Sequence, residues 1–266
     1  MRPPVALTIA GSDSGGGAGI VADLRTFEAH GVWGTCAITA VTAQNTIGVQ
    51  AFEAIASQLV SRQIESVASD IGVDAAKTGM LATAEIVSAV AAAVAGQGIR
   101  WLVVDPVFVS KHGDTLLADD AVGALRDELL PLATVVTPNL PEASALLGLD
   151  GISSRREMEE AGRRLAALGP EVVLVKGGHL ADDDSSPDVV VARDEAHWLE
   201  APRIPGRHTH GTGCVLSAAI TAALAQGVEP LEACVAGKRF VEGAIAAGVA
   251  LGAGVGPVNP GWHVRR

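Results

Sequence analysis

Short apolar runs alternate with helical patterns along most of this chain, and no other feature constrains its fold as strongly. The run from Val5 to Ala10 predicts a strand, and a helical pattern from Ile20 to His30 follows after a polar stretch rich in glycine. Such alternation predicts an α/β fold with a mostly parallel sheet. Strands that are apolar along their whole length are typical of a sheet covered by helices on both faces. Further strands are predicted near Thr35 to Val41, Val73 to Lys77, Trp101 to Asp105, Thr134 to Thr137 and Val172 to Lys176.

The pattern changes toward the C-terminal end, where two apolar runs flank a short polar connection. Asp188 to Ala192 and Ala196 to Glu200 have the spacing of an antiparallel hairpin, which we expect at one edge of the sheet. Pro230 fits the first turn of a final helix, predicted over Leu231 to about Leu251. No linker or internal repeat interrupts the chain, which indicates a single domain over residues 1–266. Other helices are predicted over Ser57 to Ser69, Ala84 to Ala95, Asp120 to Leu130, Glu142 to Leu147 and Arg155 to Leu168.

Composition excludes several classes of protein. Hydrophobic residues make up 48% of the chain and charged residues 18%, as in ordinary globular proteins. A net charge of -11 with four Trp, four Phe and no Tyr argues against nucleic-acid and anionic membrane partners. No apolar tract reaches the roughly 18 residues of a membrane span. The three widely spaced cysteines fit neither a disulfide framework nor a C-x-x-C metal site, so we expect a reducing compartment, the cytoplasm.

A turn of small residues, from His208 to Cys214, precedes an apolar helical pattern from Val215 to Gln226. Uncovered N–H groups at a helix start, together with the helix dipole, favour the binding of an anion. Cys214 would feel the same positive field, which predicts a thiolate able to act as a base or nucleophile. The turn also fits a plain helix entry with a Thr cap and a packing cysteine. His208 and His210 fit either ligands or loop residues bonded to the backbone.

Polar or glycine residues follow nearly every predicted strand at its C-terminal end. In an open parallel sheet these ends meet at one crevice, where ligands bind. Ordinary turn chemistry explains the glycines as well, but it does not require Asp105 before Pro106, or Glu142 three residues after Asn139. The residues that follow the strands are Gly11, Gln44, Gly79, Asp105, Asn139 and Gly177.

The acidic residues of this crevice are candidates for binding Mg2+. Asp105 and Glu142 suffice because a hard cation with phosphate ligands needs only one or two protein carboxylates. Glu142 could instead complete a capping box with Asn139. Lys176 ends a strand before two glycines, from where its ammonium could reach a nucleotide phosphate. The chain has no Walker phosphate loop, and its stretch 17–22 matches the dinucleotide-binding pattern without lying directly after a strand.

As a set, these motifs resemble the hydroxymethylpyrimidine/phosphomethylpyrimidine kinases of thiamine biosynthesis, a family of the ribokinase-like superfamily. The resemblance covers nearly the whole chain, and its motifs together are highly specific. It is carried by Ala6 to Gly19 (ALTIAGSDSGGGAG), Ala43 to Thr46 (AQNT), Lys77 to Met80 (KTGM), Asp105 to Val107 (DPV), Thr137 to Glu142 (TPNLPE), Val175 to His179 (VKGGH) and Thr209 to Cys214 (THGTGC).

The resemblance implies a three-layer α/β/α, ribokinase-like fold without the lid domain of sugar kinases, and a homodimer. It implies ATP- and Mg2+-dependent phosphorylation of 4-amino-5-hydroxymethyl-2-methylpyrimidine and then of its monophosphate. The implied site consists of Gly211, Thr212 and Gly213 as an anion hole, Cys214 where sugar kinases have an aspartate base, Gly11, Asp23, Gln44, Met80 and Val107 against the pyrimidine, Asp105 and Glu142 for Mg2+, and Lys176, Asn139 and Thr212 for ATP.

Two other functions remain open at this point: a pyridoxine or pyridoxal kinase of the same superfamily, and a non-catalytic pyrimidine-binding sensor. The complete anion turn, Lys176 and both carboxylates argue against the sensor. Gln44 favours the pyrimidine because a carboxamide can accept from the 4-amino group and donate to the adjacent ring nitrogen. For the homodimer, the hairpin near Val189 to Leu199 could present a sheet edge. We expect no fused thiamine-phosphate synthase or thiaminase-like domain.

Overall fold

The structure, a computed structural model, describes residues 2–108, 119–180, 185–193 and 195–263. Strands and helices alternate through most of the described chain. The strands are β1 Val5–Ala10, β2 Trp33–Ile38, β3 Ala40–Gln44, β4 Val49–Ala54, β5 Ala75–Thr78, β6 Leu102–Val104, β7 Val135–Val136, β8 Val172–Lys176, β9 Asp188–Ala192 and β10 Glu195–Leu199. The helices are α1 Gly19–Ala29, α2 Ser57–Asp70, α3 Ala84–Gly96, α4 Asp119–Ala124, α5 Leu140–Leu147, α6 Arg155–Ala166, α7 Thr212–Ala225 and α8 Pro230–Ala246.

Eight strands form the main sheet in the order β10-β9-β8-β7-β6-β5-β1-β2. All pairs from β8 to β2 are parallel, whereas β9 pairs antiparallel with both β8 and β10. The predicted mostly parallel sheet and the predicted hairpin at its edge are therefore confirmed. None of the described helices is long and apolar enough to cross a membrane.

The main sheet separates two hydrophobic cores, because successive side chains of a strand point to opposite faces. In β8, Val173 and Val175 pack in one core, and Val172 and Leu174 pack in the other. Helices α2 to α6 contribute to the first core, while α1, α7 and α8 cover the opposite face. The predicted three-layer α/β/α arrangement is confirmed.

The strand predicted over Thr35 to Val41 divides, because the chain leaves the main sheet at Thr39. Thr39 donates its N–H to Ala10 O (3.0 Å) and its hydroxyl to Met80 O (2.6 Å). The chain then forms β3, which pairs antiparallel with β4 as a separate two-stranded sheet. β4 is mostly exposed and lacks apolar alternation, so its sequence gives no strand pattern. Nothing in the sequence analysis predicted this small sheet.

Two predicted helices differ from the observed ones at their ends. The helix predicted over Asp120 to Leu130 is formed by α4 and continues as a π-helical turn and a 3-10 turn through Leu132. The last helix stops at Ala246 instead of about Leu251, since the chain beyond it returns to the start of α7. There His210 N–H donates to Gly256 O at 3.1 Å. That backbone pairing is long-range, so local sequence could not predict the helix end.

Candidate active site

A cavity of about 990 Å³ opens where the parallel strands of the main sheet end. Residues that end or directly follow β1, β5, β6 and β8 contribute to its wall, as the sequence predicted for such a sheet. All but one of the predicted site residues lie on this wall. Those that line it are Gly11, Gln44, Met80, Asp105, Val107, Asn139, Glu142, Lys176, Gly211, Thr212, Gly213 and Cys214.

The start of α7 forms one side of the cavity. Gly211 precedes the helix with a φ of +81°, and a β-carbon there would overlap the carbonyl oxygen of Gly17. Only glycine therefore fits this position without strain. No side chain caps the first turn of α7; Thr212 N–H makes a long hydrogen bond to Thr209 O (3.4 Å), and the uncapped turn leaves Gly211 and Gly213 N–H for a ligand. A β-carbon on Gly213 would lie 3.5 Å from both Asp105 Oδ2 and Lys176 Nζ, which shows how closely the helix start approaches these charges.

Lys176 connects the two predicted metal ligands. Its Nζ lies 3.1 Å from Asp105 Oδ1 and 3.7 Å from Glu142 Oε2. Thr137 also donates its hydroxyl to the Asp105 carboxylate at 3.1 Å, and the Ser217 hydroxyl lies 3.3 Å from it. Although burial disfavours a charged lysine, Asp105 and then Glu142 raise the pKa of Lys176. Lys176 is therefore a fixed cation whose side chain is still 16% exposed to the cavity.

Glu142 has both of the roles that the sequence left open for it. Asn139 N–H donates to Glu142 Oε2 (2.7 Å), and Glu142 N–H donates to Asn139 Oδ1 (2.9 Å), so the capping box is present. The same carboxylate faces Lys176 and the cavity. Burial, with a further contribution from the neighbouring Asp105, raises the pKa of Glu142 to about 7. Near neutral pH this carboxyl group is therefore poised between its acid and its carboxylate.

Cys214 lines the cavity in the first turn of α7, but the predicted thiolate is wrong. Burial raises the pKa of its thiol to about 12, and the nearby carboxylates of Asp23 and Asp105 act in the same direction. These effects outweigh Lys77 and a hydrogen bond from Gly19 N–H, which favour the thiolate. The helix dipole alone is too weak to reverse the cost of burial. Cys214 is therefore a neutral thiol at physiological pH.

Asp23 is the predicted site residue that the structure places elsewhere. It is fully buried beneath the cavity, where Oδ2 accepts from Lys77 Nζ at 2.9 Å and from Thr8 Oγ1 at 2.6 Å. Lys77 is equally buried, and although burial opposes its charge, Asp23 raises its pKa. Asp23 therefore does not line the cavity, although Lys77 does, and its Oδ1 is buried without a hydrogen-bond partner among the described residues. Its contact with a pyrimidine stays a prediction.

The glycine-rich loop after β1 contains a site residue that the sequence analysis missed. Asp13 accepts backbone N–H groups from Gly15 (2.8 Å), Gly17 (3.0 Å) and Ala18 (2.8 Å), and its Oδ2 lies 2.8 Å from His210 Nε2. Burial opposes ionisation, but these partners, His210 first, lower the pKa of Asp13. An Asp within a run of glycines was the available signal, because its carboxylate can satisfy the loop's own N–H groups.

Another part of the cavity wall carries residues suited to a flat ring. Gly11 packs closely there, since a β-carbon would lie 3.1 Å from Met80 Sδ and Met80 would have to shift by a few tenths of an ångström. Met80 is nearly buried, Gln44 stands at the end of β3, and Val107 follows Asp105, to whose carbonyl it donates its N–H (2.9 Å). An apolar thioether, an apolar branched side chain and one carboxamide can together hold a heteroaromatic ring.

A second ion pair on the cavity wall was also missed. Lys238 Nζ donates to Asp188 Oδ2 (2.9 Å) and to Ser186 O (2.8 Å), while Gly177 N–H donates to Asp188 Oδ1 (2.9 Å). This pair joins the middle of α8 to the start of β9, where Asp188 is paired with Lys176 across the sheet. The residues are far apart in sequence, so only the tertiary structure reveals them.

The residues present fit a magnesium ion that is shared with phosphate. Among the residues that the structure describes, no three His, Cys, Asp or Glu side chains are grouped as a metal site of their own. Asp105 and Glu142 nevertheless present two carboxylates to the cavity, on either side of Lys176. That is the ligand number expected where phosphate oxygens and water complete the coordination of Mg2+.

Solved structures with the same fold cover this chain almost completely. Bacillus subtilis pyridoxal kinase in its ADP complex is 40% identical, with a TM-score of 0.92 and 100% of each chain covered. Clostridium difficile phosphomethylpyrimidine kinase is 41% identical, with a TM-score of 0.80, 91% of this chain covered and 99% of the other. With these neighbours, the fold and the cavity define a ribokinase-like small-molecule kinase.

Sequence comparison identifies the family within that class. The chain belongs to the phosphomethylpyrimidine kinase family, whose sequence model matches residues 13–259. The hydroxymethylpyrimidine/phosphomethylpyrimidine kinase of Streptomyces coelicolor is 51% identical over 262 residues, which covers 98% of this chain and 96% of that protein. The predicted family and the predicted kinase activity are therefore confirmed.

Proposed function

We propose that this kinase transfers the γ-phosphoryl group of ATP to 4-amino-5-hydroxymethyl-2-methylpyrimidine and then to the resulting monophosphate, in thiamine biosynthesis. One observation carries the proposal: the uncapped start of α7, Lys176 and Asp105 meet within a few ångströms on one wall of the cavity. Phosphoryl transfer depends mainly on positioning and charge neutralisation, and these three elements supply both. The name of the Streptomyces coelicolor relative supports the choice of substrate.

In this proposal the N–H groups of Gly211, Thr212 and Gly213 bind the transferred phosphoryl group, and Lys176 neutralises phosphate charge. Asn139, at the mouth of the cavity beside Glu142, contacts the nucleotide. Asp105 and Glu142 would hold Mg2+. When bound, that ion would neutralise further phosphate charge and orient the phosphate oxygens. Lys176 and the bound cation would then present positive charge to the negatively charged polyphosphate chain.

Cys214 lines the cavity beside the proposed phosphoryl site, and only its thiolate form could accept the proton that the acceptor hydroxyl loses. A thiol with a pKa near 12 is a poor acid at neutral pH, so only a small fraction is thiolate at any moment. The first acceptor, a hydroxymethyl group, loses a proton during transfer. The second acceptor, a phosphate oxygen, is already anionic at neutral pH and needs no base. The structure thus supports a role for Cys214 in the first transfer more than in the second.

The pyrimidine would lie against Gly11, Met80 and Val107, with its amino edge toward Gln44. A carboxamide left without partners in a buried site costs about 1 to 3 kcal/mol. We therefore expect this contact to favour the aminopyrimidine over pyridoxal by roughly 10- to 100-fold. Gln44→Leu should remove most of that preference, while Gln44→Glu, which lacks the N–H donors, should retain an acceptor only.

The test is ADP release measured with each component omitted in turn. ADP should appear only with pyrimidine, ATP and Mg2+ together, and excess EDTA should abolish it. Turnover that persists in EDTA would exclude a role for Mg2+. Absence of turnover with the pyrimidine would refute the proposed substrate.

Pyridoxal kinase is the second candidate, because the Bacillus subtilis enzyme of that name superposes on all of this chain. Catalytic efficiency measured for both substrates, with wild type and Gln44→Leu, distinguishes the two. If the wild-type enzyme prefers pyridoxal, pyridoxal kinase becomes the favoured function. If it phosphorylates neither substrate, the non-catalytic pyrimidine-binding sensor becomes the favoured function.

We also propose a homodimer that works in the cytoplasm. The predicted edge near Val189 to Leu199 is present as β9 and β10, but a group of exposed large apolar side chains lies on the β3–β4 hairpin. They are Val41, Ile47 and Phe52. Burying these side chains against a second copy would remove them from water. Light scattering should give about twice the chain mass of 26.9 kDa, and a monomer at micromolar concentration would refute the dimer.

A cytoplasmic location is consistent with three cysteines that are all free.

A further inference from the structure

Gln44 is held by two parts of the chain that are distant in sequence. Its backbone is fixed by Ser14, whose hydroxyl donates to Gln44 O (2.7 Å) and accepts from Gln44 N–H (2.7 Å). Its side chain lies between Thr42 and His210. In the structure, Gln44 Nε2 is 3.4 Å from His210 Nε2, and Gln44 Oε1 is 3.4 Å from Thr42 Oγ1. The oxygen and nitrogen of a carboxamide have nearly the same shape, so their partners decide which is which.

The Asp13 carboxylate determines that the ring nitrogen of His210 facing it, Nε2, is a hydrogen-bond donor. Three backbone N–H groups donate to it, and its low pKa keeps it ionised, so it has no hydrogen to donate. His210 Nε2, at 2.8 Å from Asp13 Oδ2, must therefore carry the hydrogen of this bond. Because that hydrogen is directed mainly to Asp13, Nε2 has no lone pair in the ring plane to offer to Gln44, 3.4 Å away, and a carboxamide NH2 placed there would find no acceptor.

The hydroxyl of Thr42 leads to the same conclusion from the other side. Its single hydrogen is directed to Ser12 O, at 2.9 Å, which is the closer of its two acceptors. Toward Gln44 the hydroxyl therefore presents only lone pairs. A carboxamide oxygen placed there would bring two acceptors together, whereas the NH2 group would donate to Thr42 Oγ1.

We infer that the Gln44 carboxamide is turned so that Oε1 faces the Nε2–H of His210 and Nε2 donates to Thr42 Oγ1, and that Thr42 and His210, the latter through Asp13, fix this orientation. Thr42 and His210 are thus positioning residues for substrate selection. Reversing the amide would place donor against donor at His210 and acceptor against acceptor at Thr42. Both contacts oppose the reversed state, so the orientation is set before a ligand binds.

A fixed carboxamide selects one order of donor and acceptor on the ligand. Resting on the proposed function, Oε1 accepts from the 4-amino group of the pyrimidine, and the second N–H of Nε2 donates to the adjacent ring nitrogen. The 4-oxo analogue of the same pyrimidine has the opposite pattern, with an acceptor oxygen beside a ring N–H. A freely rotating carboxamide would accept both patterns, whereas a fixed one rejects the second.

The experiment compares binding of the 4-amino and 4-oxo pyrimidines by calorimetry in wild type, Thr42→Val and the matched control Thr42→Ser. Wild type should prefer the 4-amino compound by about 10- to 100-fold. Thr42→Val keeps the shape of the side chain but lacks the hydroxyl, so the preference should fall below about 5-fold. Thr42→Ser restores the hydroxyl and should restore the preference. Equal preference in Thr42→Val and wild type would overturn the inference.

A ligand-free measurement separates this inference from the proposed function. In protein labelled with 15N at glutamine, the Gln44 NH2 protons should show Overhauser effects to the Thr42 side chain and not to the His210 ring. Effects to the His210 ring instead would overturn the orientation, whatever the enzyme phosphorylates. If neither pyrimidine binds but the NH2 group lies at Thr42, the orientation stands and the proposed substrate fails. Thermal unfolding of each variant verifies that the β3–β4 sheet is intact.

Discussion

Two glycines lie at the start of α7: Gly211 is required by the backbone conformation, whereas we expect Gly213 to be required for phosphate binding. Replacing each with alanine tests this difference. Gly211 has a φ of +81°, and its β-carbon would overlap Gly17 O, so Gly211→Ala strains the backbone and displaces the glycine-rich loop. Gly213 lies inside the helix, where a β-carbon would meet Asp105 Oδ2 and Lys176 Nζ at an ordinary contact distance of 3.5 Å. Gly213→Ala is therefore the matched control.

The expected magnitudes follow from these positions. A left-handed conformation costs a non-glycine residue about 1 to 2 kcal/mol, and forced overlap in a packed region adds about 1 to 3 kcal/mol. Gly211→Ala should thus lower the free energy of unfolding by about 2 to 5 kcal/mol, a large share of the roughly 5 to 15 kcal/mol of a typical domain. Gly213→Ala should be neutral or up to about 1 kcal/mol more stable, since alanine favours helix.

Denaturant unfolding and ADP release together measure the two effects. Gly213→Ala should unfold like wild type but lose about 10-fold or more in kcat/KM for ATP, because the methyl group narrows the space beside the phosphate-binding N–H groups. Gly211→Ala should lose both stability and turnover. Wild-type stability in Gly211→Ala would refute the packing argument, and full activity in Gly213→Ala would refute the anion hole.

Three further predictions concern the buried ionisable groups. Glu142 binds a proton as pH falls through its pKa of about 7, so kcat/KM for ATP should decline on the acidic side of that pH. Glu142→Gln, which can still accept from Asn139 N–H, should abolish this acidic decline and weaken the dependence of activity on Mg2+. A pH profile that is unchanged in Glu142→Gln would contradict the assignment. Cys214→Ala should cost about 10- to 10,000-fold in phosphorylation of the hydroxymethyl group, yet far less with the monophosphate as acceptor; equal losses on the two acceptors would argue against a proton-handling role. Lys77→Met should destabilise the protein by about 3 to 5 kcal/mol because Asp23 is left as an unpaired buried charge. Adding Asp23→Asn to the same chain should recover part of this loss, measured by urea unfolding. If the losses of the two single variants simply add in the double variant, Lys77 and Asp23 are not coupled.

Much of the fold was accessible from local patterns. Apolar runs separated by helical patterns predicted the parallel sheet, and the polar connection after Ala192 predicted the hairpin at its edge. The pairing of Asn139 with Glu142 was visible because a capping box spans only one turn. The β3–β4 sheet was not predictable, since β4 is mostly exposed and its side chains show no alternation.

The candidate site shows the same division. Twelve predicted residues line one cavity, and those that follow parallel strands, such as Gly11 and Asp105, do so because the carboxyl ends of the strands meet there. Gln44 at the end of β3 and the turn before α7 reach the cavity only through tertiary packing. Asp23 was assigned to the ligand by resemblance, but its burial and its pairing with Lys77 depend on how α1 packs against the sheet. Asp13 was overlooked because its main partner, His210, is distant in sequence.

The sequence by itself determined the architecture, the family and most of the side chains that form the site, because strand and helix periodicity and short motifs are local properties. The tertiary structure alone decided which of those side chains are charged. Burial beside Asp23 and Asp105 makes Cys214 a neutral thiol, and burial beside Asp105 brings the pKa of Glu142 to about 7. The free energy of a charge depends on everything packed around it, and those neighbours come from all parts of the chain.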